Sequence, residues 1–125
     1  MIIYRVIHKR MKLNLTKPLI VFDLETTGLD LVNDRIIQIS YIKVYPDGRE
    51  ERENIFINPG KPISTEVTLL TGISDEDVAN APTFKQKAKE LSEKFAGCDF
   101  AGFNSNRFDA HEYNGRWFNN IRAWN

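Results

Sequence analysis

The sequence has a single cysteine, Cys98, among 125 residues. One thiol cannot build an intrachain disulfide framework or a cysteine-based zinc cage. No apolar run approaches the ~18 residues of a helical membrane span, so no membrane partner is expected and a cytoplasmic location is. Internal repeats and low-complexity segments are absent too, which excludes a repeat array. Net charge is also lacking, because 17 Lys+Arg balance 17 Asp+Glu. The balance conceals a division. Residues 1–17 carry Arg5, Lys9, Arg10, Lys12 and Lys17 and no acid. Residues 18–109 carry 16 acids against 10 bases, and residues 110–125 carry Glu112, Arg116 and Arg122. The expected organisation is a basic N-terminal extension at 1–17, one domain at 18–109 and an atypical tail at 110–125. The extension reads either as a solvated tail or as an arm that touches nucleic acid or lipid. Its apolar stretch at 2–7 is too short for a signal peptide, and Met11 offers a second start.

What is present fits one soluble globular domain, with 42% apolar and 27% charged residues. Residues 19–24, an apolar run between Pro18 and Thr26-Thr27-Gly28, predict a buried strand. Residues 35–45 are β-branched and aromatic with partial alternation, and predict a second strand. Pro46-Asp47-Gly48 reads as a tight turn, since Pro presets φ and Gly accepts positive φ. Residues 50–57 return as a more exposed third strand. Ser64 caps a short helix at 65–70 that Gly72 ends, and Ser74 with Asp77 repeats the capping signal. Thr83 and Gln86 open a longer helix with Phe84, Ala88, Leu91 and Phe95 at helical spacing, stopped at Gly97. A strand over 99–103 follows. The order predicts a mixed α/β or α+β sheet domain.

The chemistry concentrates in residues 22–28, Phe-Asp-Leu-Glu-Thr-Thr-Gly. An Asp inside an apolar strand is costly unless its charge is compensated. Asp23 and Glu25 lie two apart, so a strand projects both from one face. Two readings stay open on this pattern alone. Either a hard divalent ion such as Mg²⁺ or Mn²⁺ sits on the pair, or the strand stops at Leu24 and both acids are solvated. A second segment, Gly-Phe-Asn-Ser-Asn-Arg-Phe-Asp at 102–109, places Asp109 beyond a polar turn. Such a turn lies where an open sheet collects ligands at strand ends.

Together the two segments resemble the first two motifs of the DEDD 3′–5′ exonuclease superfamily, the DnaQ-like proofreading exonucleases that include the epsilon subunit of bacterial DNA polymerase III. The first motif, Asp-x-Glu-Thr-Thr-Gly, stands at 23–28, and the second, Asn-x-x-x-Phe-Asp, at 104–109. Between them, Leu70-Thr71-Gly72-Ile73-Ser74 is similar to the family's connecting segment. The resemblance implies a ribonuclease H-like mixed sheet and two-metal phosphodiester hydrolysis with Mg²⁺ or Mn²⁺. It implies Asp23, Glu25 and Asp109 as catalytic metal ligands. It further implies that the backbone of Thr26, Thr27 and Gly28 cradles the terminal nucleotide beside Leu29. Asn104 and Phe108 are implied near the terminal sugar or base, and Thr71 and Ile73 as outlying substrate contacts. The implied partner is a single-stranded DNA 3′ end, with RNA as the other polymer and a DNA polymerase as protein partner.

The family's third motif supplies a fourth carboxylate and a His or Tyr that orients or deprotonates water. The 16 residues after Asp109 contain no Asp, and Glu112 is their one acid. His111 lies too close to Asp109 for the third-motif place, and position 117, four beyond Tyr113, is Trp. The expectation is a truncated or frameshifted product with one weakened metal position and impaired hydrolysis. Exposed sheet surface is then expected to favour a homodimer or a domain swap. The alternative function is a non-catalytic nucleic-acid- or nucleotide-binding module, or a truncated pseudo-enzyme. A haloacid dehalogenase-like phosphatase ranks lower, because Glu25 stands where its loop needs a second Asp.

Overall fold

The computed structural model describes residues 15–30 and 32–103. Strand β1 spans Leu19–Thr26, β2 Ile36–Val44 and β3 Glu50–Phe56. Three helices follow, α1 at Thr65–Thr71, α2 at Asp75–Val78 and α3 at Phe84–Phe95, and then β4 at Asp99–Phe103. The sheet order is β3-β2-β1-β4, so β1 lies between two neighbours. It pairs antiparallel with β2 and parallel with β4, the mixed sheet that the sequence predicts.

Each element has a local cause. At the β2–β3 turn Gly48 takes a φ of 92° that a side chain would resist, and its N–H donates to the Tyr45 carbonyl at 2.9 Å. The Asp47 carboxylate accepts from the Arg49 N–H at 3.0 Å, which fixes the turn. Ser64 Oγ accepts from the Val67 N–H at 3.2 Å to start α1, and Gly72 ends it in the left-handed region. The Asp77 carboxylate accepts from the Ser74 N–H at 2.8 Å at the head of α2. Thr83 and Gln86 cap α3 reciprocally, at 2.9 and 3.2 Å.

Helix α3 covers one face of the sheet. Its Phe84, Leu91 and Phe95 pack with Ile20, Phe22 and Leu24 of β1 and with Ile39 and Tyr41 of β2. The Tyr41 and Phe95 rings meet edge to face at 4.9 Å. The C-terminal end of α3 is tied down by polar contacts as well. Lys43 Nζ donates to the Lys94 carbonyl at 2.8 Å, and Lys94 Nζ donates to Glu53 Oε1 at 3.4 Å. Val21, Ile42 and Val44 form a second buried cluster, and Ile37, Ile63, Ile73 and Val78 a third. Among the described residues no helix is long and apolar enough to cross a membrane.

Candidate active site

Along β1 the side chains alternate. Phe22 and Leu24 enter the core under α3, so Asp23 and Glu25 project from the opposite face. The strand runs on to Thr26, past both acids, which removes the reading in which it ends at Leu24. Asp23 is flanked in register by Ser40 of β2 and Phe103 of β4, and Glu25 by Gln38 of β2. Both residues are half-buried, and Glu25 Oε2 itself is buried. Ser40 turns its hydroxyl to Asn54 Oδ1, at 2.9 Å. A register irregularity falls between Glu25 and Thr26, where β1 begins to leave the sheet.

The turn that follows is held from within. Thr26 is 1% exposed, and its hydroxyl donates to the Gly28 carbonyl at 2.6 Å. The Thr27 N–H donates to the Arg35 carbonyl at 2.8 Å, while the Thr27 hydroxyl donates to Asp34 Oδ1 at 2.8 Å. The Arg35 N–H donates to that same hydroxyl at 2.9 Å. Asp34 Oδ2 accepts from the Asp30 N–H, also at 2.8 Å. Lys61 reaches in from the next loop, its Nζ 3.1 Å from the Asn33 carbonyl and 3.8 Å from Asp34 Oδ1. Neither the Gly28 nor the Leu29 N–H donates to an acceptor among the described residues. Leu29 is 51% exposed beside them. The exposed Asp30 carboxyl is held below its usual range by the Asn33 amide and the backbone N–H groups of Val32 and Asn33.

The remaining expected residues are distributed differently. The Thr71 hydroxyl donates to the Val67 carbonyl at 2.8 Å and accepts the Ile73 N–H at 3.1 Å, so it finishes α1. Ile73 is 4% exposed and packs against Ile37, Ile63 and Val78. Asn104, Phe108 and Asp109 lie outside the described residues, as do His111, Glu112 and Tyr113. Asp34 and Lys61 were missed by sequence reasoning. Their one signal is an Asp seven residues after Thr27, within a stretch that otherwise reads as plain loop.

Two carboxylates at alternate positions of one strand are hard oxygen donors, suited to Mg²⁺ or Mn²⁺. Among the described residues no group of three or more His, Cys, Asp or Glu side chains is gathered for a metal. Asp23 and Glu25 therefore supply a pair that a third ligand would complete. A cleft of about 160 Å³ lies elsewhere, between Arg35, Asn58, Gly60 and Thr83, and its lining contains no carboxylate.

A sequence model of the exonuclease family (RNase_T) matches residues 20–122. The chain belongs to the exonuclease family. The match contains both motifs and runs past Asp109, further than the 18–109 span of the motif resemblance. The DNA polymerase III PolC-type protein of Streptococcus sanguinis is 45% identical over 74 residues, 59% of this chain and 5% of that protein. The PolC-type protein of Caldanaerobacter subterraneus subsp. tengcongensis is 37% identical over 87 residues, 70% of this chain and 6% of that protein. The chain thus spans about a twentieth of the length of the polymerases it matches. Among solved structures, exonuclease I of Methylocaldum szegediense superposes with a TM-score of 0.62 at 28% identity, over 74% of this chain and 21% of that one. Cell-death related nuclease 4 superposes with a TM-score of 0.55 at 17% identity, over 69% and 34%, and shows the fold alone. The exonuclease domain therefore has a ribonuclease H-like mixed sheet, with the acidic pair on an interior strand.

Proposed function

We propose that this domain is a metal-dependent 3′–5′ exonuclease that removes nucleotides from single-stranded DNA ends. The observation that carries the reading is the placement of Asp23 and Glu25 on one face of β1, next to a turn that keeps the Gly28 and Leu29 N–H groups available. Asp23 and Glu25 would hold the ions, with Asp109 as the motif's third ligand. Bound Mg²⁺ or Mn²⁺ would neutralise charge at the scissile phosphate and make water more acidic. The protein's own part is to place the 3′ end. The turn at 26–29 receives the terminal nucleotide through backbone N–H groups beside Leu29, and the second motif assigns Asn104 and Phe108 to its sugar or base. The PolC-type relatives favour a DNA polymerase as working partner and proofreading as the task.

The 16 residues after Asp109 hold no Asp, so these 125 residues supply three motif carboxylates. A missing general base lowers rate by about 10²–10⁴-fold, and the 125-residue chain alone is expected to be slow. The test is release of 3′ nucleotides from a 5′-labelled single-stranded oligonucleotide with Mg²⁺ or Mn²⁺, alongside Mn²⁺ titration. Slow release that EDTA and Asp23→Ala both abolish is the expected result. Release that survives Asp23→Ala overturns it. Mn²⁺ and oligonucleotide binding without release supports the second reading, a binding module, which the Asp-free tail favours.

A further inference from the structure

Asp34 has no place in either motif, yet its carboxylate sits at the centre of the turn that follows the acidic pair. One oxygen accepts from the Thr27 hydroxyl and the other from the Asp30 N–H, so it joins the two sides of the turn. Gly28 leaves room for it. A Cβ on Gly28 would lie 2.8 Å from Asp34 Cγ, closer than real Cβ contacts come. Thr27 spends its one hydroxyl proton on Asp34 and accepts the Arg35 N–H, so this hydroxyl works within the loop. Lys61, bound to the Asn33 carbonyl, ties the assembly to the loop that leads into α1.

We propose that Asp34 is a positioning residue for the 3′-terminal nucleotide, holding the turn at 27–29 so that its backbone N–H groups stand ready beside Asp23 and Glu25. The inference rests on the exonuclease reading of the site. Asp34 itself touches no substrate. It acts through Thr27 and through the space that Gly28 leaves, and Lys61 braces it from outside. Loss of the carboxylate frees the turn while leaving the core under α3 intact.

The experiment compares the 125-residue chain with Asp34→Ala, Asp34→Asn, Gly28→Ala and the Gly28→Ala/Asp34→Ala double variant. Amide hydrogen exchange is read at Thr27 and Asp30, whose N–H groups are bonded in the turn, and in α3. The KM and kcat for a 5′-labelled oligonucleotide with Mn²⁺ are measured beside its Kd in EDTA. Asp34→Ala is expected to speed exchange at Thr27 and Asp30 about tenfold, as loss of an ordinary hydrogen bond does, with α3 unchanged. KM and Kd should rise about tenfold, with kcat changed less than threefold, the pattern of binding lost equally from ground and transition states. Asp34→Asn keeps one acceptor oxygen and should fall between. Gly28→Ala should weaken binding in the wild-type background and add little once Asp34 is Ala, because the two residues are in contact. Unchanged exchange at Thr27 and Asp30 in Asp34→Ala overturns the inference, and so does full additivity of the two substitutions. A wild-type chain that binds the oligonucleotide without cleaving it removes the exonuclease reading, and the Kd and exchange ratios then decide the role of Asp34. A wild-type chain that neither binds nor cleaves overturns both.

Discussion

Ile20, Phe22 and Leu24 lie buried beneath α3, whereas Asp23 and Glu25, interleaved with them along the same eight residues of β1, project from the other side half-exposed. The contrast shows how one strand serves two purposes without compromise. Alternation sends every second side chain into the core, where it contributes stability. Of the residues between, Val21 packs into its own cluster with Ile42 and Val44, and Asp23 and Glu25 carry the charge. A register slip of one residue would exchange the two sets, so the apolar set also fixes where the carboxylates point. The irregularity between Glu25 and Thr26 comes after both acids, so the pairing with β2 keeps them aligned until the turn begins.

The comparison breaks most visibly on the covered face. Phe95 is 4% exposed and stacks edge-on against Tyr41. Phe95→Ala is expected to destabilise the domain by about 3–5 kcal/mol, read by urea denaturation, with metal binding lost only in step with unfolding. Substitution on the other face should do the reverse. Asp23→Asn and Glu25→Gln each remove a proposed metal ligand, and the loss should be no less than the ~10–100-fold seen for residues that merely support ligands. The melting temperature should stay within about 4 °C, the shift of 1 kcal/mol in a domain this size. If Asp23→Asn instead melts the protein while Mn²⁺ affinity holds, the acids belong to the structure and the division between faces fails.

A smaller effect tests whether the helix depends on its cap as well as on its buried stripe. Thr83 Oγ1 accepts from the Gln86 N–H at 3.2 Å, and the Thr83 N–H donates back to Gln86. Thr83→Ala should cost about 1 kcal/mol, read by denaturation, with Thr83→Ser close to wild type.

These elements were legible because their causes are local. Pro46-Asp47-Gly48, Ser64, Gly72 and the Thr83–Gln86 pair each act over a few residues, and the strands and helices begin and end within about two residues of where the sequence puts them. The acidic pair was legible for the same reason, since spacing of two needs only a strand. What sequence could not show is contact across the chain. Asp34 gains meaning from Thr27 before it and from Lys61 on another loop. Ile73 reads as a substrate contact by motif, yet whether it packs inward depends on where Ile37, Ile63 and Val78 come together. Asp109, Asn104 and Phe108 fall outside the described residues, and for them the motif itself remains the support.

The smallest effect concerns the seam where the covered face meets the rim. Tyr41 is fully buried and donates to Glu53 Oε2, and Lys94 Nζ lies 3.4 Å from Glu53 Oε1. Burial, with the Glu53 bond second, raises the Tyr41 phenol far above its usual value. The phenol bond, with Lys94 assisting, lowers the Glu53 carboxyl. The signs then follow. Glu53 contributes stability that is present above the ordinary Glu range, ~4.3, and is lost as pH falls through its lowered value. Tyr41 contributes stability that is present below about pH 10, the ordinary tyrosine value, and is lost as pH climbs beyond it. Tyr41→Phe should cost only about 0.5–1 kcal/mol near neutral pH, because Glu53 is partly exposed and keeps Lys94. It should flatten both limbs of the profile, which denaturation series at acid, neutral and alkaline pH would read. An unchanged alkaline limb would place the sensitivity on another group and detach this seam from the stability of the covered face.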